Sequence, residues 1–141
     1  YAVHLSAYTS DGVIANEQAE MLLSDMQSEY EKGNYVIAGG DFNQVFPGSL
    51  DIYPIIDPEL WTPGVLDENL LPDGWTLAYD LDTPSCRLLN QPYDKDDENT
   101  QHYVIDGFIL SPNVELTNAQ TLGLDFGSSD HNPVFINVKL K

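Results

Sequence analysis

The chain is poor in cysteine, in basic residues and in long apolar runs, and each shortage removes a class of explanation. Cys86 is the only cysteine among 141 residues, so an internal disulfide and any cysteine metal cluster are excluded. The thiol itself reads as an ordinary buried or half-buried side chain. Lys and Arg number 5 against 23 Asp and Glu, a formal net charge of −18. That charge repels phosphate backbones at long range, so nucleic-acid binding driven by counterion release is not expected of this chain. It suits divalent cations instead. No apolar run approaches the roughly 18 residues that a membrane span needs. No signal peptide is visible, and the sequence opens at Tyr1 on residues that already read as a strand, as expected of a piece of a longer protein.

What is present is enough for one folded domain over residues 1–141. Hydrophobic residues make up 42% of the chain, an ordinary share for a packed core, so the charge is not a sign of disorder. Twelve of the 23 carboxylates fall between residues 51 and 100, which concentrates the charge on one surface segment. This acidity, with little lysine and cysteine, leans weakly toward a secreted or surface-anchored bacterial protein.

The periodicities predict the opening order. "YAVHLSAY" alternates as a strand, with Val3 and Leu5 on one side and Ala2, His4 and Ser6 on the other. "TSDGV" reads as a turn, and Asn16 as the cap of a helix beginning at Glu17. Ala19, Leu22, Leu23, Met26 and Tyr30 form the apolar stripe of that helix, and Gly33 stands just past its end. "YVIAG" follows as a short buried strand, which completes a βαβ unit and places the chain in the α/β (α+β) class. Residues 45–100 carry seven prolines, together with apolar residues such as Leu66, Trp61 and Trp75. They read as an ordered, loop-rich acidic insertion with one short helix near residues 66–71. "HYVIDGFILS", "VELTNAQTL" and "PVFINVKL" read as strands, with a Gly/Ser/Asp loop over residues 123–132.

Polar groups interrupt the apolar pattern in four places: Asp41 with Asn43, Asp106 within "VIDGFIL", Ser129–His131 within "SSDHNPV", and His4 in the first strand. Each has a plainer reading alone. Asp41-x-Asn43 can be a turn bonding its own backbone, Asp106 a carboxylate facing water, "DHN" a loop, and His4 a half-exposed histidine. Together they suggest chemistry. A carboxylate within an apolar strand is costly unless paired, and Asp106 facing His131 would orient the imidazole and stabilise its charged form. Asp41, Asn43 and Asp130 are oxygen donors of the kind hard cations prefer, and carboxylate with histidine supplies acid–base function near neutral pH.

In order and spacing, "VHLSAY", "GGDFNQ", "VIDGFILS" and "SSDHNPVFINV" resemble motifs of the endonuclease/exonuclease/phosphatase superfamily, the deoxyribonuclease-I-like fold. The similarity spans the whole chain and is weakest over residues 45–100. It implies the carboxy-terminal half of a four-layer α/β/β/α sandwich, here one mixed β-sheet covered by helix. It also implies a phosphoesterase dependent on Mg²⁺ (or Mn²⁺ or Ca²⁺), hydrolysing phosphate mono- or diesters by in-line attack of water. By this resemblance Asp41 orients or deprotonates the water, and Asn43 bonds the phosphoryl group and helps hold the metal. Asp130 binds or positions the metal, His131 contacts the phosphate and acts as acid or charge stabiliser, Asp106 holds His131, and His4 is a second phosphate-contacting histidine. Arg87, in "TPSCRLLNQPY", is a substrate-contact candidate beside the plainer reading of a structural ion pair.

The departure from the family pattern is the missing amino-terminal half, which would supply an Asn and a metal-binding Glu. Ala2 stands where many relatives carry Asn. The fragment alone is therefore expected to be inactive or severely impaired. Its apolar sheet face, without that half as partner, is expected to self-associate or to tighten. The competing readings are a non-catalytic interaction domain on the same scaffold and, more specifically, a nuclease, which the charge disfavours.

Overall fold

The computed structural model describes residues 1–8 and 12–141. The elements run β1 (Ala2–His4), α1 (Val13–Glu31), β2 (Ile37–Asp41), β3 (Gln44–Val45), α2 (Ser49–Ile52), β4 (Gly64–Val65) and a 3₁₀ turn (Glu68–Leu70). They continue β5 (Thr76–Ala78), β6 (Cys86–Arg87), β7 (His102–Tyr103), β8 (Asp106–Leu110), β9 (Val114–Thr121) and β10 (Val134–Leu140). The chain is thus mixed α+β, built mostly of short strands.

The central sheet has the order β1-β2-β8-β5. β1 and β2 are parallel neighbours joined through α1, which is the βαβ unit read from the sequence, and β8 pairs antiparallel with both β2 and β5. Alternation along the strands gives each face its own partner. Ala38 and Ile109 turn toward α1, whose Ala15, Ala19, Leu23 and Met26 fill the main core with Phe42, Phe46, Leu66 and Trp75. Ile37, Phe108 and Leu110 turn the other way, against Val114, Leu116 and Ile136 of the antiparallel β9–β10 ribbon. On that second face Ile37, Phe108, Leu116, Ala119, Ile136 and Val138 are only half-buried.

Several expectations need correction. α1 begins at Val13, not Glu17, because Gly12 takes the left-handed conformation (φ 70°) as N-cap and its carbonyl accepts the first helical bond from Asn16 N–H. Asn16 is inside the helix and its amide oxygen accepts from Gln44. The turn expected over residues 9–13 falls largely on residues 9–11, outside the described residues. Gly33 does close the helix, at φ 88°, with its N–H on the Tyr30 carbonyl. The strand expected over "HYVIDGFILS" is two strands. Between them Val104 and Ile105 give their carbonyls to Phe46 and Phe42 rather than to a ladder.

Residues 45–100 are rich in short elements and bends, but they are not set apart from the sheet. They supply β5, its edge strand, and bury Val45, Phe46, Leu66 and Trp75. Among the described residues no helix is long and apolar enough to cross a membrane.

Candidate metal centre and catalytic site

The two glycines before Asp41 are required by packing. A Cβ on Gly40, whose φ is 145°, would lie 2.0 Å from the Val3 carbonyl oxygen, and one on Gly39 would lie 2.3 Å from the Phe108 ring. Strand β2 therefore comes close to both neighbours, and its last residue is held in a defined register. Asp41 is the partner of His4 on β1 and of Asp106 on β8. One row across three strands thus carries His4, Asp41 and Asp106. Partners directly opposite in an antiparallel pair have Cβ atoms roughly 4.5–5.5 Å apart, and like charges there repel.

His131 reaches this row from the loop before β10. The loop is laced to β6: Arg87 N–H donates to the Asp130 carbonyl (2.9 Å), Asn132 N–H to the Ser85 carbonyl (2.7 Å), and the Asn132 side chain to the Pro84 carbonyl (3.0 Å). These bonds set the imidazole between two carboxylates. His131 Nδ1 is 2.9 Å from Asp106 Oδ2, and Nε2 is 3.9 Å from Asp41 Oδ2. The Ser85 hydroxyl donates to the same Asp106 oxygen (2.7 Å) and accepts from the backbone N–H groups of Ile105 and Asp106. His131 is pushed up to about 11, first by the hydrogen bond to Asp106 and then by its contact with Cys86. The expected Asp106–His131 pairing is therefore present, and the ring is cationic at neutral pH.

Asp41 closes its own turn, with Asn43 N–H on Oδ1 at 2.8 Å. The plainer reading of Asp-x-Asn is thus true as local geometry, and the carboxylate still faces the site. Burial raises its pKa above the usual carboxylate value; the Asn43 N–H opposes this, Asp106 adds to it, and His131 and His4 oppose it. Asn43 sits at φ 49°, a left-handed position that Asn tolerates. Its amide nitrogen donates to the Leu5 carbonyl (2.8 Å) and to Asp41 Oδ2 (3.1 Å). Both amide hydrogens are committed, so only its oxygen is left for an incoming group.

His4 lies at the rim, largely exposed, with Nε2 3.7 Å from Asp41 Oδ2. Asp130 is fixed through its backbone, and its carboxylate is not in the cluster that could hold a metal ion. That cluster is Asp41, Asp106 and His131, whose ligand atoms all lie within 4.8 Å of one another. The two carboxylates are donors that fit a divalent cation, with the protonated His131 ring beside them as a hydrogen-bond donor rather than a ligand, and the desolvated Asp41 charge is one that a cation would relieve. Arg87 is buried with its guanidinium 5.0 Å from the Tyr93 ring centroid and one N–H on the Leu88 carbonyl. Its Nε has no hydrogen-bond partner, and no carboxylate lies within ion-pair distance among the described residues. The structural ion pair expected as its plainer role is therefore absent there.

Two neighbours escaped the sequence reading. Cys86 Sγ is 3.5 Å from His131 Nε2, and Ser85 is the buried hub described above. Neither carries a local signal; their roles depend on pairing between β6, β8 and the 123–132 loop. Thiol, imidazole and carboxylate stand in the order of a cysteine nucleophile with its base, but burial pushes the Cys86 thiol up. The protonated form is favoured, against thiolate chemistry. No family model matches this chain, and no curated protein matches it.

Proposed function

We propose that the chain carries part of the active site of a divalent-metal-dependent phosphoesterase of the deoxyribonuclease-I-like kind. The observation that supports this reading most is the convergence of Asp41, Asp106 and His131 from three separate segments, with ligand atoms within 4.8 Å of one another. Asp41, a stronger base than an exposed carboxylate because burial raises its pKa, orients a water for in-line attack and takes its proton. His131, kept protonated because Asp106 accepts from it, presents positive charge to the phosphoryl oxygens and gives its proton to the leaving oxygen as the P–O bond breaks. Asp106 and Ser85 fix the ring, and His4 at the rim meets the outer oxygens of the ester. Asp41 and Asp106, with the Asn43 oxygen, would hold Mg²⁺ or Mn²⁺, which supplies Lewis-acid neutralisation of the phosphoryl charge when bound.

The motifs that resemble the family supply the reaction class; mono- and diesters both fit it. The net charge of −18 places polynucleotides low among the substrates. In this reading the sheet of this chain is one layer set of the α/β/β/α sandwich, and the remaining metal ligands come from the other half. The test is hydrolysis of bis-p-nitrophenyl phosphate by the full-length protein with Mg²⁺ or with EDTA, beside Asp41→Ala and His131→Ala. Loss of a general base or acid should lower kcat by about 10²–10⁴-fold, and EDTA should abolish turnover. Equal rates in all three proteins would refute the assignment.

A further inference from the structure

Beyond the phosphate-handling residues, we infer that a neighbouring aromatic cleft binds an uncharged apolar or aryl leaving group of the ester; this rests on the phosphoesterase reading above. The cleft has a volume of about 520 Å³; Tyr8, Leu60, Trp61, Leu88 and Leu89 give its apolar lining, and Glu59, Thr62 and Asn90 its polar one. That volume lies within the range of small-molecule sites.

The cleft is built from the same segments as the site. Leu88 follows Cys86 by two residues, at most about 7 Å of extended chain, and Cys86 Sγ touches the His131 ring. Tyr8 follows the strand that carries His4. Trp61 rests on Tyr103, with ring centroids 5.1 Å apart, and Tyr103 is the β7 partner of Cys86. The floor is therefore fixed: the Tyr103 hydroxyl also donates to the Trp61 carbonyl at 2.8 Å.

Tyr8 closes the other side in an unusual way. Its backbone sits at φ 58°, a left-handed conformation that disfavours a bulky residue, and its ring lies 5.1 Å from Trp61 at 51°. Tyr8 presents an aromatic face that is 71% exposed, and Leu89 in the same lining is 65% exposed. Exposed apolar side chains gathered around a concavity mark a binding surface more often than isolated ones do.

The electrostatics select the occupant. Among the described residues the lining holds Glu59 as its one charged residue and no cation. A second phosphate in the substrate would find no partner there, whereas a flat uncharged group would find two aromatic faces and three leucines. The preferred ester accordingly joins one phosphoryl group to an apolar alcohol.

The experiment is titration calorimetry with methylphosphonate, 1-naphthyl phosphonate and 1-naphthol, on the wild-type protein, Tyr8→Ser, Leu89→Asp and His131→Ala. Tyr8 and Leu89 are exposed, so neither change should disturb folding. The naphthyl phosphonate is expected to bind roughly tenfold more tightly than methylphosphonate, and Tyr8→Ser and Leu89→Asp should erase that difference. 1-Naphthol should bind the wild type and lose affinity in the same two variants. Equal binding of the two phosphonates by the wild type, with 1-naphthol silent, would overturn the cleft and leave the phosphoesterase reading intact. Binding of 1-naphthol that depends on Tyr8, with phosphonate binding indifferent to His131→Ala, would instead overturn the phosphate site on which the proposal rests.

Discussion

Asp41 and Asp106 face each other across β2 and β8, yet their surroundings give them different work. Asp106 accepts from Ser85 and His131, so its charge is answered by fixed donors. Asp41 is desolvated and its charged form is disfavoured. Removing that charge should help the metal-free fold: Asp41→Asn, which keeps the oxygen that caps the Asn43 turn, is expected to gain about 1 kcal/mol in urea denaturation with EDTA present. Saturating metal should reverse the order, because the wild type alone gains the full binding energy. An Asp41→Asn variant less stable than wild type in EDTA would contradict this view of the carboxylate.

His131 gives a prediction of opposite origin. In the folded protein its pKa rises from 6.5 to about 11. The fold holds a proton that the unfolded chain releases near 6.5, so stability falls as pH rises wherever the folded state binds more protons. The contribution of the pair is complete below pH 6.5 and is lost progressively toward pH 11. Denaturation of metal-free protein across that window should show a downward slope in wild type that Asp106→Asn flattens. Parallel profiles would mean that the pair is not formed.

At the scale of elements, the close approach of β1 to β2 decides the site. Gly40→Ala would drive a methyl group into the Val3 carbonyl at a backbone angle that L-residues avoid. A cost of about 3 kcal/mol or more is expected, read as a lower midpoint in urea, with His4 and Asp41 losing register together. A near-neutral change would show that the strands are not packed as described. The same scale explains what could be read from the chain. The βαβ unit was legible because Ala19, Leu23 and Met26 repeat at helical spacing and the strands beside them are apolar. The helix start was not, since Asn16 is a better local cap than Gly12 and only the neighbouring contact with Gln44 uses its side chain. β5 was hidden among prolines, and its place at the sheet edge follows from pairing with β8, which no local pattern encodes. Asp41, Asp106 and His131 stood out because polar residues in or beside apolar strands are costly; Ser85 and Cys86 did not, because small residues in a loop-rich stretch look alike until their distant partners are known.

The molecule as a whole carries a charge of −18, and many of its carboxylates will attract divalent cations weakly. Residues from β2 and β8, with the loop before β10, meet at one end of the two central strands in a group that could hold a metal ion, and the proposal is that this group binds more tightly than the rest. Mn²⁺ titration of this chain followed by electron paramagnetic resonance tests it most directly, comparing wild type with Asp41→Asn, Asp106→Asn and the acidic-loop control Asp96→Asn. Affinity at the tightest site is expected to fall roughly tenfold or more in the first two variants and to stay unchanged in the third. The same affinity and stoichiometry in all four proteins would contradict it.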